Sequence, residues 1–401
     1  MVTITNAENA LKSVYLGVIA NQLNTKANPL LAKIKQSDAN IWGKEIVKLA
    51  PFGINGGIGA GTETGALPTA AGNNYVQFKT SLKNLFGRIE ISDKALRASA
   101  NADGAFVNLL ADEMEGLVKA STFNLGRMIY GDGSGLLATT TAQTEAGATF
   151  VTVDSVRNLI EGMVVDVYVE NECVLSGKRI NFVDRVTKKV YFDVSTVVAS
   201  GAKLYVQGSK DNEITGIEAL FNGESIYGLS RENYPWLNAI TDASGKTMDD
   251  VTMQEMIDAI EDKAGSEVDF IACSRDARKA YQQYLTYYRR NIDVAELAGG
   301  FKAITFNGIP VVADRFIADG TAYFLSTKDF TLHQLCDWQW LEGEDGKILK
   351  QNGGFPSYSA TLVKYADLIC DRPLGQAKLS NISSTISNPY AEIITAIEGK
   401  A

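Results

Sequence analysis

The sequence predicts a mixed α+β fold built from several parts, and three features of the 401-residue chain support this prediction. A long amphipathic helix is predicted over residues 104–130, which at 1.5 Å per residue would be a rod of roughly 40 Å. Short strands without helical periodicity follow over residues 136–208. Helix and strand patterns then alternate from Ile214 onward. A chain of this length supports two or three hydrophobic cores, at roughly 150 residues per domain.

Composition and charge exclude several classes of protein. Apolar residues make up 45% and charged residues 21% of the chain, as in ordinary folded proteins. The net charge of −9 argues against wide contact with nucleic-acid phosphates, which requires clustered Lys and Arg. No run approaches the roughly 18 apolar residues of a membrane span, and the first residues lack the pattern of a signal peptide. The four cysteines are scattered without a CxxC pair, which predicts reduced, mostly buried thiols.

The first predicted element is a helix over residues 6–23. Its apolar residues, among them Leu11 and Tyr15, recur at the spacing of one helix face, and Asn6 is suited to cap its start. Residues 24–40 then read as polar and irregular. Two interpretations stay open: the helix packs on its own domain, or it docks on another subunit as the end of an arm.

A glycine-rich segment over residues 52–74 lies between two strand-like runs, residues 45–49 and 75–79. It contains no Cys or His that could tether it, and a loop of this length without secondary structure is usually functional or disordered. Glycine permits unusual backbone angles but loses more entropy when it is ordered. The segment therefore predicts a protruding hairpin that settles against another subunit. The contact residues that we assign to its tip are Gly56, Gly57, Gly59, Gly61, Thr62 and Glu63.

The middle of the chain changes from helix to strands. Asp103 is suited to cap the long helix, which ends abruptly at the turn GDGSG, residues 131–135. Short alternating patterns then predict strands at residues 149–153, 164–169, 178–186, 190–194 and 204–207. Their spacing predicts a small antiparallel barrel or sandwich, inserted between the long helix and the parts that follow.

Helices and strands mix in the C-terminal half. Asp249 and Ser274 each open a predicted helix, and Asn307-Gly308 favours a tight two-residue hairpin turn. Separate strands are predicted at residues 330–334 and 338–341, and a long strand is predicted over residues 358–370.

The helix that begins after Ser274 carries the aromatic and basic run AYQQYLTYYRR. Such a run is typical of a packed helix face with a basic C-terminal end. Tyr and Arg are also enriched in interface cores, so a subunit contact is the second interpretation. Besides the hairpin tip, the residues that we assign to subunit contacts are Leu11, Tyr15, Tyr284, Tyr288 and Arg289.

No catalytic, cofactor or metal site is predicted. The single histidine, His333, lies in a strand pattern and cannot alone support a Ser-His-Asp triad or a zinc site. The run GKT at residues 245–247 resembles the end of a P-loop, but Ile240 stands where its first glycine is needed. The run at residues 57–61 lacks the final glycine of a dinucleotide fingerprint. Carboxylates that the fold brings together, as in a glycosidase, stay open at this point.

The order of these parts resembles that of the major capsid proteins of tailed bacteriophages, an HK97-type fold shared with encapsulins and herpesvirus capsid floors. The segments that carry the resemblance are GDGSG, FNGIPVVAD at residues 306–314 and SYSATLVKYADLIC at residues 357–370. The resemblance implies an N-terminal arm (1–45), an E-loop hairpin (46–91), a peripheral domain with the spine helix (92–135), an inserted antiparallel β domain (136–212), an axial domain (213–326), and a return to the peripheral domain with the C-terminal tail (327–401).

The resemblance also implies a function. We expect a structural, non-enzymatic subunit of an icosahedral virus shell, made in the host cytoplasm and assembling into pentamers and hexamers that enclose double-stranded DNA without sequence-specific binding. Expected partners are copies of itself, a portal, and separate scaffolding or decoration proteins. Residues 53–75 contain no lysine, so the covalent E-loop cross-link of some family members is not expected. The alternatives are an encapsulin-like protein compartment and a carbohydrate-active enzyme with a β accessory module.

Overall fold

The computed structural model describes residues 29–94, 105–145, 147–193, 197–287, 294–297, 301–343 and 346–383, without the side chains of residues 105–112, 294–297 and 301–302. The predicted helix over residues 6–23 lies outside these ranges. So do four of the predicted contact residues, Leu11, Tyr15, Tyr288 and Arg289.

The described residues form a mixed α+β fold, as predicted. The helices are α1 (Pro29–Lys33), α2 (Ala105–Ile129), α3 (Asp250–Ala264) and α4 (Arg275–Tyr287). The strands of the first half are β1 (Lys35–Ser37), β2 (Ile41–Trp42), β3 (Glu45–Phe52), β4 (Asn74–Ser81), β5 (Lys83–Ser92), β6 (Leu136–Thr139), β7 (Phe150–Thr152), β8 (Val164–Val169), β9 (Glu172–Asp184), β10 (Lys189–Phe192) and β11 (Lys203–Val206). Those of the second half are β12 (Ser225–Ile226), β13 (Leu229–Ser230), β14 (Ile240–Asp242), β15 (Phe270–Cys273), β16 (Val294–Leu297), β17 (Phe301–Phe306), β18 (Ile309–Ala313), β19 (Ala322–Leu325), β20 (Phe330–Trp340), β21 (Lys350–Gln351), β22 (Ser357–Cys370) and β23 (Ala377–Leu379). None of the helices described here is long and apolar enough to cross a membrane.

The long strand β22 is the centre of a five-stranded sheet. It pairs with β20 on one side and with β5 on the other, both antiparallel, while β1 and β21 complete the sheet. Along β5, buried and exposed residues alternate, so Leu85, Ile89 and Ile91 face the core. Helix α2 covers this face closely: a Cβ on Gly87 would lie 2.8 Å from Leu117 Cδ1. The sheet and the long helix thus form one packed layer pair.

A seven-stranded mixed sheet occupies the C-terminal half, in the order β14-β23-β19-β15-β18-β17-β16. Its buried core includes Met253 and Ile260 of α3, Tyr281 of α4, and Ile271 and Phe324 of the sheet. The helix starts and the turn follow the sequence prediction: Asp249 accepts a hydrogen bond from Thr252 N, and the β17–β18 turn has positive φ at both Asn307 and Gly308.

Residues 136–206 contribute six antiparallel strands in the order β6-β11-β8-β9-β10-β7. A bridge between Thr140 and Val153 joins the two outer strands of this order. The sheet has its own buried cluster, which includes Val165, Ile180 and Val190. Five of the six strands coincide with predicted ones, although β9 begins six residues earlier, and β6 was not predicted. That this segment is an inserted domain stays a prediction.

Two further regions differ from the sequence prediction. Residues 24–40, predicted to be irregular, contain α1 and β1, which pairs in parallel with β20. The strands predicted separately at residues 330–334 and 338–341 form the single strand β20, whose register shifts between Gln334 and Gln339. The buried ammonium of Lys364 lies at this irregular point, 2.7 Å from both Gln334 Oε1 and Asp337 Oδ1. The polar residues that broke the strand pattern therefore solvate a buried lysine.

Gly216 marks the closest backbone approach to the end of α2, and it provides a test of this packing. A Cβ at this position would lie against Met128 O, 2.5 Å from Gly131 O and 2.7 Å from Ile129 O. We expect Gly216→Ala to lower the free energy of unfolding by roughly 3 kcal/mol, because rigid backbone must move. The matched control is Gly116→Ala in α2, where nothing lies within 4 Å and helix propensity predicts a gain of roughly 0.8 kcal/mol. Urea titrations in which the two variants change stability in the same direction would contradict the assignment.

Candidate subunit-contact surface

The glycine-rich segment is carried on a regular antiparallel ladder. Strands β3 and β4 pair over eight positions, from Glu45 opposite Ser81 to Phe52 opposite Asn74, and β2 adds a short third strand. The strands extend farther than the runs predicted from the sequence. A ladder of this length holds the connecting segment in a fixed direction relative to the rest of the chain.

Polar contacts fix the ladder to the five-stranded sheet. Lys48 Nζ lies 2.7 Å from Asp371 Oδ2, and Thr80 Oγ1 donates to Asp367 Oδ2 at 2.6 Å. The fully buried Asp367 carboxylate also accepts from Thr215 N at 2.8 Å. Burial raises the pKa of Asp367, and the hydrogen bonds from Thr80 and Thr215 oppose that rise. The carboxylate thus links β22, β4 and the segment after the six-stranded sheet.

Aromatic packing holds the far end of the ladder. The ring of Phe52 stacks on Trp236 with centroids 5.6 Å apart, and Phe78 packs on Trp236 at 6.0 Å and on Tyr227 at 5.2 Å. Such pairs add to the stability given by the buried area alone. Order in the hairpin therefore extends to Phe52 and Asn74.

Residues 53–73, hereafter the hairpin tip, lie beyond this anchor and contain no helix or strand. All six predicted contact residues of the hairpin, residues 56, 57, 59 and 61–63, lie in it and are exposed or half-buried. Among the described residues, its hydrogen bonds stay within the tip, where Gly57 N donates to Asn55 Oδ1 and Gly65 N to Thr62 O, with one exception. Asn73 Nδ2, at the base of the tip, donates to Tyr75 Oη of the adjoining strand β4 at 3.3 Å. The fold thus brings the predicted residues together at one projecting end. Their contact with a neighbour stays a prediction.

Two glycines of the hairpin tip let its two limbs lie close together. A Cβ on Gly59 would be 3.1 Å from Pro68 Cγ, and one on Gly57 would be 3.3 Å from Ala71 N. Within the tip, positive φ occurs at Gly53. The sequence-based argument from unusual backbone angles therefore applies at Gly53, whereas steric clearance explains Gly57 and Gly59.

Three apolar side chains of the tip were not among the predicted contact residues. Ile54 is 87%, Ile58 89% and Leu67 90% exposed, among the highest values of any large apolar side chain described. Three such residues at the end of one projection form an apolar surface without a partner in the described part of the chain. Their signal was present in the sequence as large apolar residues inside a glycine-rich run.

The aromatic run of α4 divides between the core and the surface. Tyr281 is buried, and the half-buried Tyr284 stacks on it with centroids 6.4 Å apart. Both belong to the core of the seven-stranded sheet or pack against it. This packing accounts for Tyr281 as a core residue. A subunit contact through Tyr284 stays a prediction.

The side chains that the sequence offered as candidates for catalysis or ligand binding are held by contacts within the fold. His333 is buried, and its Nδ1 lies 2.9 Å from Ala39 O; burial lowers its pKa. Lys246 of the P-loop-like run forms ion pairs with Asp242 and Glu255. Among the described residues, no three His, Cys, Asp or Glu side chains are grouped to hold a metal ion. Of the four thiols predicted to be mostly buried, Cys273 and Cys370 are buried, Cys336 is half-buried and Cys173 is exposed.

The Asp314 carboxyl predicts a measurable pH dependence. Burial raises its pKa to about 6, although Phe316 N donates to it at 3.0 Å. In the unfolded chain, an Asp has a pKa of about 3.9. Protonation of the buried Asp314 therefore contributes fully to the free energy of unfolding below about pH 4, and this contribution is lost as the pH rises through about 6. We expect the Asp314→Asn variant to be more stable than the native chain by roughly 2–3 kcal/mol in free energy of unfolding at pH 7.5. At pH 4 the two chains should differ little. Urea titrations across this range check it, and a difference that does not depend on pH would contradict it.

Comparison with known proteins places this architecture. No family model and no curated protein matches the chain. A capsid protein from the cyanophage A-1(L) capsid asymmetric unit is 12% identical, covers 90% of this chain and 93% of its own, and has a TM-score of 0.50. The SrpI encapsulin of Synechococcus elongatus PCC 7942 is 9% identical with coverages of 90% and 89% and a TM-score of 0.46. A chain from Mycobacterium phage Patience is 11% identical, covers 97% of this chain and 92% of its own, and has a TM-score of 0.42. The cyanophage likeness confirms a capsid-type fold.

Proposed function

We propose that this chain is the structural subunit of an icosahedral virus shell, whose copies assemble into pentamers and hexamers around double-stranded DNA. The observation that carries the proposal is the hairpin tip, an apolar end on an anchored ladder, whose hydrogen bonds to described residues reach no farther than Tyr75 of the adjoining strand. The capsid-type fold supports the same function.

Many modest contacts between copies would together stabilise a shell. Burying one Ile or Leu side chain stabilises a contact by roughly 1.5–3 kcal/mol. Ile54, Ile58 and Leu67 therefore offer several kcal/mol for each neighbour that they meet. A heterologous contact of this kind closes into rings when its rotation allows, and linked rings multiply its effect over a lattice.

The proposal assigns a role to each part of the chain. We propose residues 46–91 as the E-loop, residues 92–135 as the spine-helix part of a peripheral domain completed by residues 327–401, residues 213–326 as an axial domain, and residues 136–212 as an inserted β domain. The absence of lysine between residues 53 and 75 favours a shell held without covalent cross-links. We propose no catalytic, cofactor or metal role. Proposed partners are other copies, a portal and separate scaffolding or decoration proteins, and the proposed location is the virion.

Electron microscopy of the purified chain, alone and with its scaffolding protein, tests the proposal. We expect closed particles with five- and six-fold clusters. Chains that stay monomeric under both conditions would contradict a shell subunit. The content of particles isolated from cells is the second measurement: packaged DNA supports a virus shell, whereas packaged protein supports the encapsulin-like alternative.

A further inference from the structure

Four arginines converge on one cleft that has no part in the proposed assembly contact. Arg157 follows β7, Arg185 lies in the β9–β10 turn, Arg275 begins α4, and Arg315 follows β18. With Val156, Asp314, Ile317 and Asp319 they line a space of about 420 Å³, hereafter the arginine cleft. One wall comes from the six-stranded sheet and the other from the seven-stranded sheet. The cleft therefore lies where two separate hydrophobic cores meet.

Two of the arginines are held in place by their neighbours. Both terminal nitrogens of Arg185 contact the Glu161 carboxylate, at 3.0 and 3.2 Å. The Arg315 guanidinium lies over the rings of Phe123 and Phe316, at 4.9 and 5.4 Å from their centroids. Cation–π contact fixes the plane of this group and leaves its N–H donors directed elsewhere.

Three guanidinium groups in the cleft have donors to spare. Within the described residues, the side chains of Arg157, Arg275 and Arg315 donate no hydrogen bond and form no ion pair within 4 Å. The Nε of Arg157 is also buried without a hydrogen-bond partner. Each guanidinium carries five N–H donors, and a buried donor without an acceptor is costly. Arg157 is half-buried, whereas Arg275 and Arg315 are exposed. The buried Nε of Arg157 is therefore the donor that lacks an acceptor, and the exposed guanidinium donors of Arg275 and Arg315 are open to a ligand.

The charges of the lining residues favour an anion. Four arginines face the two lining carboxylates Asp314 and Asp319, and Arg185 is paired with Glu161, which leaves a local charge of four minus three, or +1, on a chain of net charge −9. Burial lowers the pKa of Arg315, and Arg275 and Arg185 lower it further. An anion between these cations would remove the repulsion among them. Arginine forks match the oxygens of phosphate in bidentate geometry.

We propose that the arginine cleft binds a phosphate-bearing ligand, which Arg157, Arg275 and Arg315 contact directly and which bridges the two cores. A space of about 420 Å³ lies within the range of small-ligand sites and exceeds the needs of a single phosphate. The ligand therefore carries at least two linked phosphate groups or a short phosphodiester segment. The inference does not depend on the proposed shell function.

Titration of the full-length protein with pyrophosphate, followed by calorimetry at constant ionic strength, tests this site. We expect saturable binding that Arg275→Gln and Arg157→Gln each weaken roughly tenfold, and that Arg275→Lys weakens less. The matched control is Arg88→Gln, which removes an exposed arginine of β5 and should leave the affinity unchanged. Equal affinity in Arg275→Gln and the native chain, or equal losses in Arg275→Gln and Arg88→Gln, would overturn the proposal.

Stability and competition give independent readouts. Pyrophosphate should raise the melting temperature of the native chain and not that of Arg275→Gln. Citrate that displaces pyrophosphate at equal concentration would overturn phosphate recognition. If a short DNA duplex displaces pyrophosphate, the site binds phosphate and its ligand is a nucleic-acid backbone. If pyrophosphate binds and the duplex does not compete, the site binds phosphate and its ligand is a small phosphate compound. Electron microscopy of Arg275→Gln shows separately whether the variant forms particles. Loss of pyrophosphate binding with normal particles concerns this site alone and not the shell proposal.

Discussion

Deleting residues 56–72 is expected to abolish particles while the subunit stays folded. The deletion leaves four residues, Gly53, Ile54, Asn55 and Asn73, between the paired Phe52 and Asn74, a length that hairpins commonly use. The ladder and its anchors at Lys48 and Thr80 are retained. Circular dichroism and urea unfolding should therefore match those of the native subunit. Electron micrographs should contain no closed shells, because the deletion removes Ile58 and Leu67, two of the three exposed apolar residues of the tip.

Substitutions separate the role of apolar contact from that of loop length. The triple variant Ile54→Ser, Ile58→Ser and Leu67→Ser keeps the loop and removes roughly 5–9 kcal/mol of potential burial per contact. We expect it to assemble no shells. Val186→Ser is the matched control, because Val186 is 91% exposed in a turn of the six-stranded sheet, close to the 89% of Ile58. Normal shells from the triple variant, or equal loss of shells in the control, would remove the role given to the tip.

Local signals in the sequence were sufficient for the elements that depend on neighbouring residues. Helix α2 was predicted within one residue at each end, because apolar spacing and a glycine-rich stop define it without distant contacts. The Asp249 cap and the Asn307-Gly308 turn were likewise predicted from short-range chemistry. The hairpin tip was also predicted, although its exposed apolar residues were overlooked.

Elements that depend on distant partners could not be predicted. Strand β5 has a clear alternation, yet its partner β22 lies more than 250 residues away in sequence, so its place in the five-stranded sheet is not a local property. The arginine cleft draws Arg157, Arg185, Arg275 and Arg315 from four separate turns and ends of elements. Single arginines on loops carry no pattern that predicts their convergence, so only the three-dimensional structure reveals the site.

Removing Arg127 alone is expected to cost far more stability than removing it together with Glu213. Their side chains are both 4% exposed, and the two terminal nitrogens of Arg127 contact the two carboxylate oxygens of Glu213 at 2.7 and 2.5 Å. Arg127 lies in the last turn of α2, and Glu213 follows β11, so the pair joins the long helix to the exit of the six-stranded sheet. Arg127→Met leaves a buried carboxylate without its cation, and we expect a loss of roughly 3–5 kcal/mol in the free energy of unfolding.

The double variant decides whether the pair stabilises the fold or only avoids a penalty. Replacing both residues, Arg127→Met with Glu213→Leu, removes the two desolvation costs together with their attraction, so we expect most of the loss to be recovered. Lys119→Met, which breaks the exposed pair with Glu115 on the same helix, should leave unfolding unchanged. Equal losses in the single and double Arg127 variants, measured by urea unfolding, would show that the guanidinium stabilises the chain through packing rather than through its charge.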